Sequence, residues 1–350
     1  MKILIVDDDE VAVEVLEHAL SQFGYQVTVA HNGREGLDLV RSGQFRMVVS
    51  DWEMPKMTGV ELCEEIRRRS ASGYVYVILL TSRHGTQSVV DGMNAGADDF
   101  VSKPFQPQEL VVRIRAGERI LSLESRELII FSMAKLAESR DPETGAHLER
   151  MREYCRVIAE HLSRQAKFRE RVDGDYVQLI YMTSPLHDIG KVGIPDRILL
   201  KAGQLTREEF EIMKNHAEIG ARTLDATASA HPGAKFLCMA RDIARCHHEK
   251  FDGSGYPNGL SGEEIPLCGR IVALADVYDA LTTKRVYKPA FSHDKAVAII
   301  RAGRSRHFDP DIVDAFEANE ARFMAIRGQF DRREEQEAQA IAQRQVELVL

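Results

Sequence analysis

The chain has few cysteines and no long apolar run. These two features argue against a disulfide-stabilised protein and against a membrane-spanning protein. Its cysteines are scattered and include no C-x-x-C pair, so we expect reduced, mostly buried thiols rather than a disulfide framework: Cys63, Cys155, Cys238, Cys246 and Cys268. The longest apolar runs fall far short of the ~20 residues that a membrane-spanning helix needs. The N-terminus lacks the apolar stretch of a secretory signal. We therefore expect a cytoplasmic protein without a membrane segment.

The sequence also lacks an excess of basic residues. Its 46 Lys and Arg against 54 Asp and Glu give a formal net charge of -8 and a pI near 5.9. This charge argues against a broad nucleic-acid surface, and no DNA-reading motif is present, although a local basic patch could hold a small phosphate ligand. A chain of 350 residues with 44% hydrophobic and 29% charged residues is typical of about two globular domains.

Residues 2 to about 105 alternate short β-branched runs with amphipathic stretches. The runs ILIV, QVTVA, RMVVS, YVYVILL and DDFVS predict a five-stranded parallel sheet in a doubly wound α/β domain. Ligands of such sheets bind at the carboxyl ends of the strands, where Asp7, Asp8 and Asp51 lie. Carboxylates that converge there suit Mg²⁺. For Asp8 and Asp9 alone, a simple helix-capping role has about equal weight.

The segments VDDDE, SDWEMPKMTG, LLTS and VSKPF stand in order at these strand ends. Together they resemble the receiver domain of two-component response regulators over residues 1–120, which has a flavodoxin-like fold. The resemblance implies that Asp51 accepts a phosphoryl group from a histidine kinase. It also implies that Asp7, Asp8, Asp51 and the backbone carbonyl of Glu53 surround Mg²⁺.

The same resemblance assigns roles to residues after the fourth and fifth strands. Lys103 would neutralise a phosphoryl oxygen, Thr81 would turn its hydroxyl toward that oxygen, and Phe100 would move inward. Charge neutralisation matters more than a base in such a transfer, which supports these roles independently. We predict a cis bond after Lys103, since Pro104 follows. Trp52, the only Trp, departs from the smaller residue that is common beside the acceptor.

Residues 108–140 predict one nearly continuous connecting helix. Its approximate seven-residue spacing is marked by Leu110, Ile114, Leu121, Leu128 and Lys135. This stripe favours a two-stranded coiled coil, and thus a homodimer, about equally with packing on the chain's own second domain. In either arrangement the helix is the mechanical link between the domains.

From residue 126 the pattern becomes helical through to residue 350, and several histidines and acids fall on apolar helix faces. One such histidine alone is more often a core residue bonded to backbone. Together they indicate metal, because unpaired buried carboxylates are costly. Ligation by imidazole and carboxylate without thiolate favours Fe or Mn, with Zn or Ni as alternatives. The candidate ligands are Glu143, His147, His187, Asp188, His216, His247, His248 and Asp276.

The segments DPETGAH, LHDIGKVGIPD, MKNHAEIG, HHEKFDGSGYPNGL and RIVALADVYDALTTKRVYKPAF resemble the HD-GYP phosphodiesterases, an all-α family, over residues 126–330. The resemblance implies cleavage of cyclic di-GMP to linear pGpG or GMP at a binuclear or trinuclear metal centre. One metal would be held by His147, His187, Asp188 and Asp276. The second would be held by Asp188, His216, His247 and His248, with Asp188 bridging. Glu143 suggests a third metal.

The resemblance also implies substrate contacts. Lys191 would hold a phosphate oxygen beside the catalytic His187 and Asp188, and Arg285 and Lys288 would grip the phosphates. Tyr256, after Gly255, would stack on a guanine. By themselves, Arg285 and Lys288 could be a solvated helix end, and GSGYP only a turn.

The leading hypothesis is a phosphodiesterase controlled by phosphorylation of Asp51 through the helix after residue 108. One alternative is an interaction module that docks signalling proteins through the GYP surface, with incidental catalysis. Another is an enzyme that prefers cyclic GMP-AMP. Residues 331–350 are predicted to form a polar helical tail that is solvated or binds a partner.

Overall fold

The computed structural model describes residues 1–68, 73–82, 86–139, 146–231, 233–283 and 290–349. The chain divides into two compact units, Met1–Leu128 and Ile129–Leu350. Within the described ranges, no helix combines the length and the apolar character that a membrane span requires.

The first unit is a parallel β-sheet with helices on both faces. Its strands pair in the order β2-β1-β3-β4-β5, and every pair is parallel. The predicted five-stranded α/β fold is therefore confirmed. The strands are β1 (Lys2–Val6), β2 (Gln26–Ala30), β3 (Met47–Asp51), β4 (Tyr76–Thr81) and β5 (Asp99–Ser102). The helices are α1 (Glu10–Gln22), α2 (Gly33–Arg41), α3 (Gly59–Arg68), α4 (Thr86–Asn94) and α5 (Pro107–Glu138).

The two faces of the sheet form separate apolar cores. In β1, Ile3 and Ile5 face α1 and α5, whereas Leu4 and Val6 face α2 and α3. Because successive strand residues point to opposite faces, a strand that is covered on both sides must be apolar throughout. This explains why the sequence shows continuous apolar runs, and it leaves the strand ends as the place for polar residues.

The first half of α5 packs on the sheet of its own unit. Leu110, Ile114 and Leu121 are buried in the core beside β1, β3, β4 and β5. Neither alternative drawn from the seven-residue spacing, a coiled coil or packing on the second domain, accounts for these positions. The end of α5 does pack within the second unit, where Ala134 is buried beside Leu148. The spacing predicted an apolar stripe correctly, but such a stripe fits a sheet as well as a partner helix.

The second unit is helical in all its described elements apart from two isolated β-bridges, which confirms the predicted all-α class. Tyr154 stacks on Phe323 with ring centroids 4.6 Å apart, and Tyr278 and Phe316 pack around this pair. This core fixes α6 against α11, the helices that carry two of the candidate ligands. The helices are α6 (His147–Leu162), α7 (Gly174–Thr183), α8 (Asp196–Leu199), α9 (Arg207–Ala230), α10 (Lys235–Cys246), α11 (Leu267–Thr282), α12 (His293–Ala302), α13 (Pro310–Glu317) and α14 (Glu320–Val349).

Candidate metal centre and phosphoacceptor site

A cluster of carboxylates lies at the carboxyl edge of the sheet in the first unit. Asp7, Asp8 and Asp51 each offer an oxygen within 4.8 Å of the others. The Lys103 Nζ atom lies 2.5 Å from Asp51 Oδ1 and 3.1 Å from Asp7 Oδ2. The backbone N–H of Glu53 donates to Asp51 Oδ2 at 3.2 Å. Oxygen ligands around one lysine are an arrangement that suits Mg²⁺ and a phosphoryl group.

The residues expected to respond to phosphorylation lie on β4 and β5, the strands beyond β3 in the sheet. Thr81 is buried at the end of β4, and Phe100 is half-buried against the core of α2 and α3. The peptide bond that follows Lys103 is cis, as predicted. Burial alone would lower the pKa of Lys103, but hydrogen bonds to Asp51 and Asp7 outweigh burial and raise it. The lysine therefore stays charged beside Asp51.

The second unit brings four candidate ligands together in what we call the four-residue group. Asp188, His216, His247 and His248 offer ligand atoms that all lie within 4.8 Å of one another. Asp188 Oδ1 is 3.2 Å from His216 Nε2 and 3.7 Å from His247 Nε2. Three nitrogens and one carboxylate at this separation form a donor set that suits a divalent transition metal.

A three-residue group adjoins it. His147, at the start of α6, His187 and Asp276 of α11 place their ligand atoms within 4.8 Å of one another. His187 Nε2 lies 3.2 Å from Asp188 Oδ2, so the Asp188 carboxylate faces both groups. The two groups are therefore joined through a single carboxylate.

Close backbone packing makes this junction. The segment Ile189–Gly193 is a short 3-10 helix that lies directly on α9. A Cβ atom at Gly190 would lie 1.9 Å from the carbonyl oxygen of His216. Only glycine allows this approach, which brings Asp188 to His216.

Hydrogen bonds orient the histidine rings toward the ligand atoms. The Nδ1 atoms of His187 and His216 lie 3.1 Å and 2.7 Å from the carbonyl oxygens of Ser184 and Met213. The Nδ1 atom of His247 lies 3.0 Å from the carbonyl oxygen of Ile243. Carbonyl oxygens only accept, so each Nδ1 must carry a proton, and in the neutral ring Nε2 then presents its lone pair. These residues fit a bound metal ion.

The pKa shifts of Asp188 and His248 agree with metal ligation. Burial would raise the pKa of Asp188, but Lys191 and His187 outweigh burial and hold that pKa well below its usual range. Burial, together with His247 and His216, holds the pKa of His248 far below the ordinary histidine value. An ionised carboxylate and a neutral imidazole are the ligand forms that metals bind.

The loop after His248 is fixed by Glu249, whose role the sequence did not reveal. The buried Glu249 carboxylate accepts hydrogen bonds from the N–H groups of Asn258 and Leu260 at 2.8 Å and 3.1 Å. A Cβ atom at Gly255 would lie 2.3 Å from the backbone nitrogen of residue 250. The loop thus packs on its own start, and the Tyr256 ring stacks on His248 with centroids 4.6 Å apart.

Asp279 and Arg150 form a second arrangement that the sequence did not reveal. The Asp279 carboxylate accepts two hydrogen bonds from Arg150 at 2.7 Å and 3.0 Å, and its Oδ2 lies 2.8 Å from His147 Nδ1. Burial would raise the pKa of Asp279, but His147 and Arg150 lower it to about 2. The only available signal was one more acid on the apolar helix that carries Asp276.

The remaining predicted residues divide into two classes. Lys191 lies beside the centre, with its Nζ 2.9 Å from Asp188 Oδ2. Glu143, Arg285 and Lys288 lie outside the described residues.

Two protein-family models match this chain, one over the part that contains the carboxylate cluster and one over the part that contains the candidate metal ligands. The response regulator receiver domain model matches residues 3–115, and the HD domain model matches residues 132–312. A Vibrio cholerae protein named "Probable cyclic di-GMP phosphodiesterase" is 39% identical over 94% of this chain and 80% of its own length. The "Cyclic di-GMP phosphodiesterase response regulator RpfG" of Xanthomonas campestris is 36% identical over 94% of this chain and 90% of its own length.

A third relative, the "Cyclic di-GMP phosphodiesterase" of Thermotoga maritima, is 35% identical over 90% of this chain and 89% of its own length. The HD domain implies a divalent metal centre, and the four-residue and three-residue groups provide candidate ligands for it. The chain therefore belongs to the cyclic di-GMP phosphodiesterase family of response regulators, in which a receiver domain precedes an HD domain.

Proposed function

We propose that this chain hydrolyses cyclic di-GMP to linear pGpG or GMP, and that phosphorylation of Asp51 by a histidine kinase controls the reaction. One observation carries the proposal: the Asp188 carboxylate faces both ligand groups and also contacts the ammonium of Lys191. Candidate ligands for two metal ions thus lie beside an ammonium group that can bind a phosphate oxygen. Metal-dependent hydrolysis of a phosphodiester uses both features.

The metal assignments follow from the donor atoms. The four-residue group would hold one ion and the three-residue group another, with Asp188 between them. Imidazole and carboxylate donors favour Fe or Mn, with Zn or Ni as alternatives, and Glu143 would add a ligand for a third ion. When bound, such ions supply Lewis-acid chemistry for cleavage of the diester. In the receiver unit, Asp7, Asp8 and Asp51 would hold Mg²⁺.

The protein residues would bind and orient the dinucleotide. The Lys191 ammonium, which is mostly buried beside Asp188, would neutralise an oxygen of the scissile phosphate. Arg285 and Lys288 would contact the phosphates from the segment after α11, and Tyr256 would offer its ring to a guanine. The phosphates of the substrate would thus meet positive charge from three residues of an otherwise acidic chain.

Substrate preference is tested by competition. The relatives that match along at least 80% of their own length are named for cyclic di-GMP, which favours this substrate over cyclic GMP-AMP. We expect metal-loaded protein to convert cyclic di-GMP preferentially when both dinucleotides are present at equal concentration, as measured by chromatography of the products. Binding of cyclic di-GMP without any linear product would refute the assignment.

We expect Gly255→Ala to lower kcat/KM for cyclic di-GMP by about 100-fold, because the added Cβ would displace the loop that carries Tyr256 by the order of 1 Å. Steady-state kinetics measures this effect. Gly174→Ala is the matched control, since no atom lies within 4 Å of a Cβ placed there. Equal activity of the two variants would show that the close packing of this loop is not needed.

Regulation is proposed to act through α5, because its first turns pack on the receiver sheet and its chain continues into the second unit. Phosphorylation of Asp51 would shift α5 and thereby change the activity. Turnover in the presence and absence of beryllofluoride, an acyl-phosphate mimic, measures this coupling. Equal turnover in both conditions would contradict it.

We expect the fluorescence of Trp52 to report phosphorylation. It is the only tryptophan, is 7% exposed in the receiver core, and directly follows Asp51. Acetyl phosphate with Mg²⁺ should change its emission in the wild-type chain, and Asp51→Asn should abolish this change because the variant has no acceptor carboxylate. An unchanged response in the variant would place the phosphoryl group elsewhere.

The chain is further proposed to form a homodimer through the later part of α5. Ile129, Met133 and Leu136 are spaced by four and three residues and are largely exposed. Such a stripe is suited to a partner helix. Light scattering of the full chain tests this proposal, and the mass of a monomer at micromolar concentration would contradict it.

A further inference from the structure

A large aromatic side chain lies exposed beside the metal centre. Phe210, in the first turn of α9, is 44% exposed although it is fully apolar. Its ring meets that of Tyr256 edge-to-face, with centroids 6.2 Å apart and planes at 82°. The two rings thus form a corner that is open to solvent on the Phe210 side.

A cation lies in this corner. The Lys214 ammonium is 5.2 Å from the ring centroid of Phe210 and 5.5 Å from that of Tyr256. Lys214 stands one helical turn after Phe210, which places both side chains on the same face of α9. Its Nζ also pairs with the exposed Glu211 at 2.8 Å.

The corner is continuous with the metal centre. Tyr256 stacks on His248, with centroids 4.6 Å apart and planes 29° from parallel, and His248 belongs to the four-residue group. The rings of His248, Tyr256 and Phe210 therefore follow one another from the ligand cluster to the surface.

We propose that Phe210 and Lys214, together with Tyr256, form a subsite for one purine base of the cyclic dinucleotide and for the phosphate nearest to it. The inference rests on the proposed function and extends it to two residues without a role assigned above, Phe210 and Lys214, of which Lys214 belongs to the MKNHAEIG segment. Aromatic rings bind bases by stacking, and the ammonium supplies positive charge for the phosphate. Each stacked ring typically raises affinity for a base by about 5- to 150-fold.

The test uses the full, metal-loaded chain. We expect Phe210→Ala to raise the KM and the Kd for cyclic di-GMP about 10-fold. We expect kcat to stay within about twofold of the wild-type value, because Phe210 does not reach the metal ligands. Lys214→Gln should give a smaller rise that disappears at high salt. Initial rates measure KM, equilibrium dialysis measures Kd, and metal content per chain should equal that of the wild type.

Ile212→Ala is the matched control. Ile212 is also an exposed apolar residue of α9, and two residues along a helix place it on a different face from Phe210. An unchanged KM and Kd in Phe210→Ala would overturn the subsite while leaving the proposed hydrolysis intact. If the wild type binds cyclic di-GMP but yields no product, the proposed function fails, and a weaker Kd in Phe210→Ala alone would still support the subsite.

Discussion

Asp188→Asn is expected to abolish hydrolysis of cyclic di-GMP, with kcat lower by about 1,000-fold or more. Asp188 is the only anion of the four-residue group. Its Oδ1 atom lies 3.2 Å from His216 Nε2, and its Oδ2 atom lies 3.2 Å from His187 Nε2. The neutral amide of asparagine removes the charge that both ligand groups share. We therefore also expect a loss of at least one metal ion per chain, as measured by elemental analysis.

The control for this variant is Asp175→Asn, which makes the same change at an exposed position at the start of α7. It should retain the metal and the activity of the wild type. Retention of both by Asp188→Asn would contradict the metal assignment. If Asp188→Asn loses catalysis but still supports signalling in cells, the signal is carried by docking of the second unit.

Asp279→Asn is expected to impair both stability and metal binding. The substitution would leave the buried Arg150 guanidinium without its carboxylate, which costs about 3–5 kcal/mol of folding stability. It would also remove the charged acceptor from His147 Nδ1, and loss of such a contact typically weakens metal affinity by about 10–100-fold. Thermal unfolding of the metal-free chain and metal titration measure the two effects separately.

A double variant distinguishes orientation of His147 from simple charge pairing. Asp279→Leu combined with Arg150→Met removes both buried charges, and such replacements are often neutral or stabilising. We expect the double variant to recover folding stability but not metal affinity, because His147 still lacks its acceptor. Recovery of wild-type metal affinity would show that Asp279 serves only as the partner of Arg150.

The receiver site was largely predictable because the topology of a parallel sheet fixes it. All five strands run in the same direction, so residues that end separate strands must meet at one edge. The runs of apolar residues located the strands, and the positions of Asp7, Asp51 and Lys103 followed directly. The observed contacts of Lys103 with both carboxylates result from that shared edge.

The residues that support the metal centre were less predictable because their partners lie far away in sequence. Asp279 is 132 residues from His147, and nothing in the local pattern pairs them. Glu249 follows two candidate ligands directly, yet its carboxylate points to the loop nine and eleven residues later. Helical periodicity predicts which face is buried, but it does not predict which buried polar groups meet across the core.

The exposed aromatic corner was missed for a related reason. Phe210 fits the apolar pattern of α9, which predicts a core residue, whereas the structure leaves it 44% exposed beside Tyr256. An apolar residue on a helix gives the same sequence signal whether it faces a core or a ligand. The position of the loop that carries Tyr256, which only the three-dimensional structure shows, distinguishes a ligand-facing Phe210 from a core residue.

The most direct test of the central claim is a titration of metal-free protein with Fe²⁺ or Mn²⁺ under anaerobic conditions, in which metal content and the rate of cyclic di-GMP hydrolysis are measured together. The two ligand groups that Asp188 joins predict that linear product is formed only as occupancy approaches two ions per chain. Hydrolysis by the metal-free chain, or full occupancy without any product, would contradict the account.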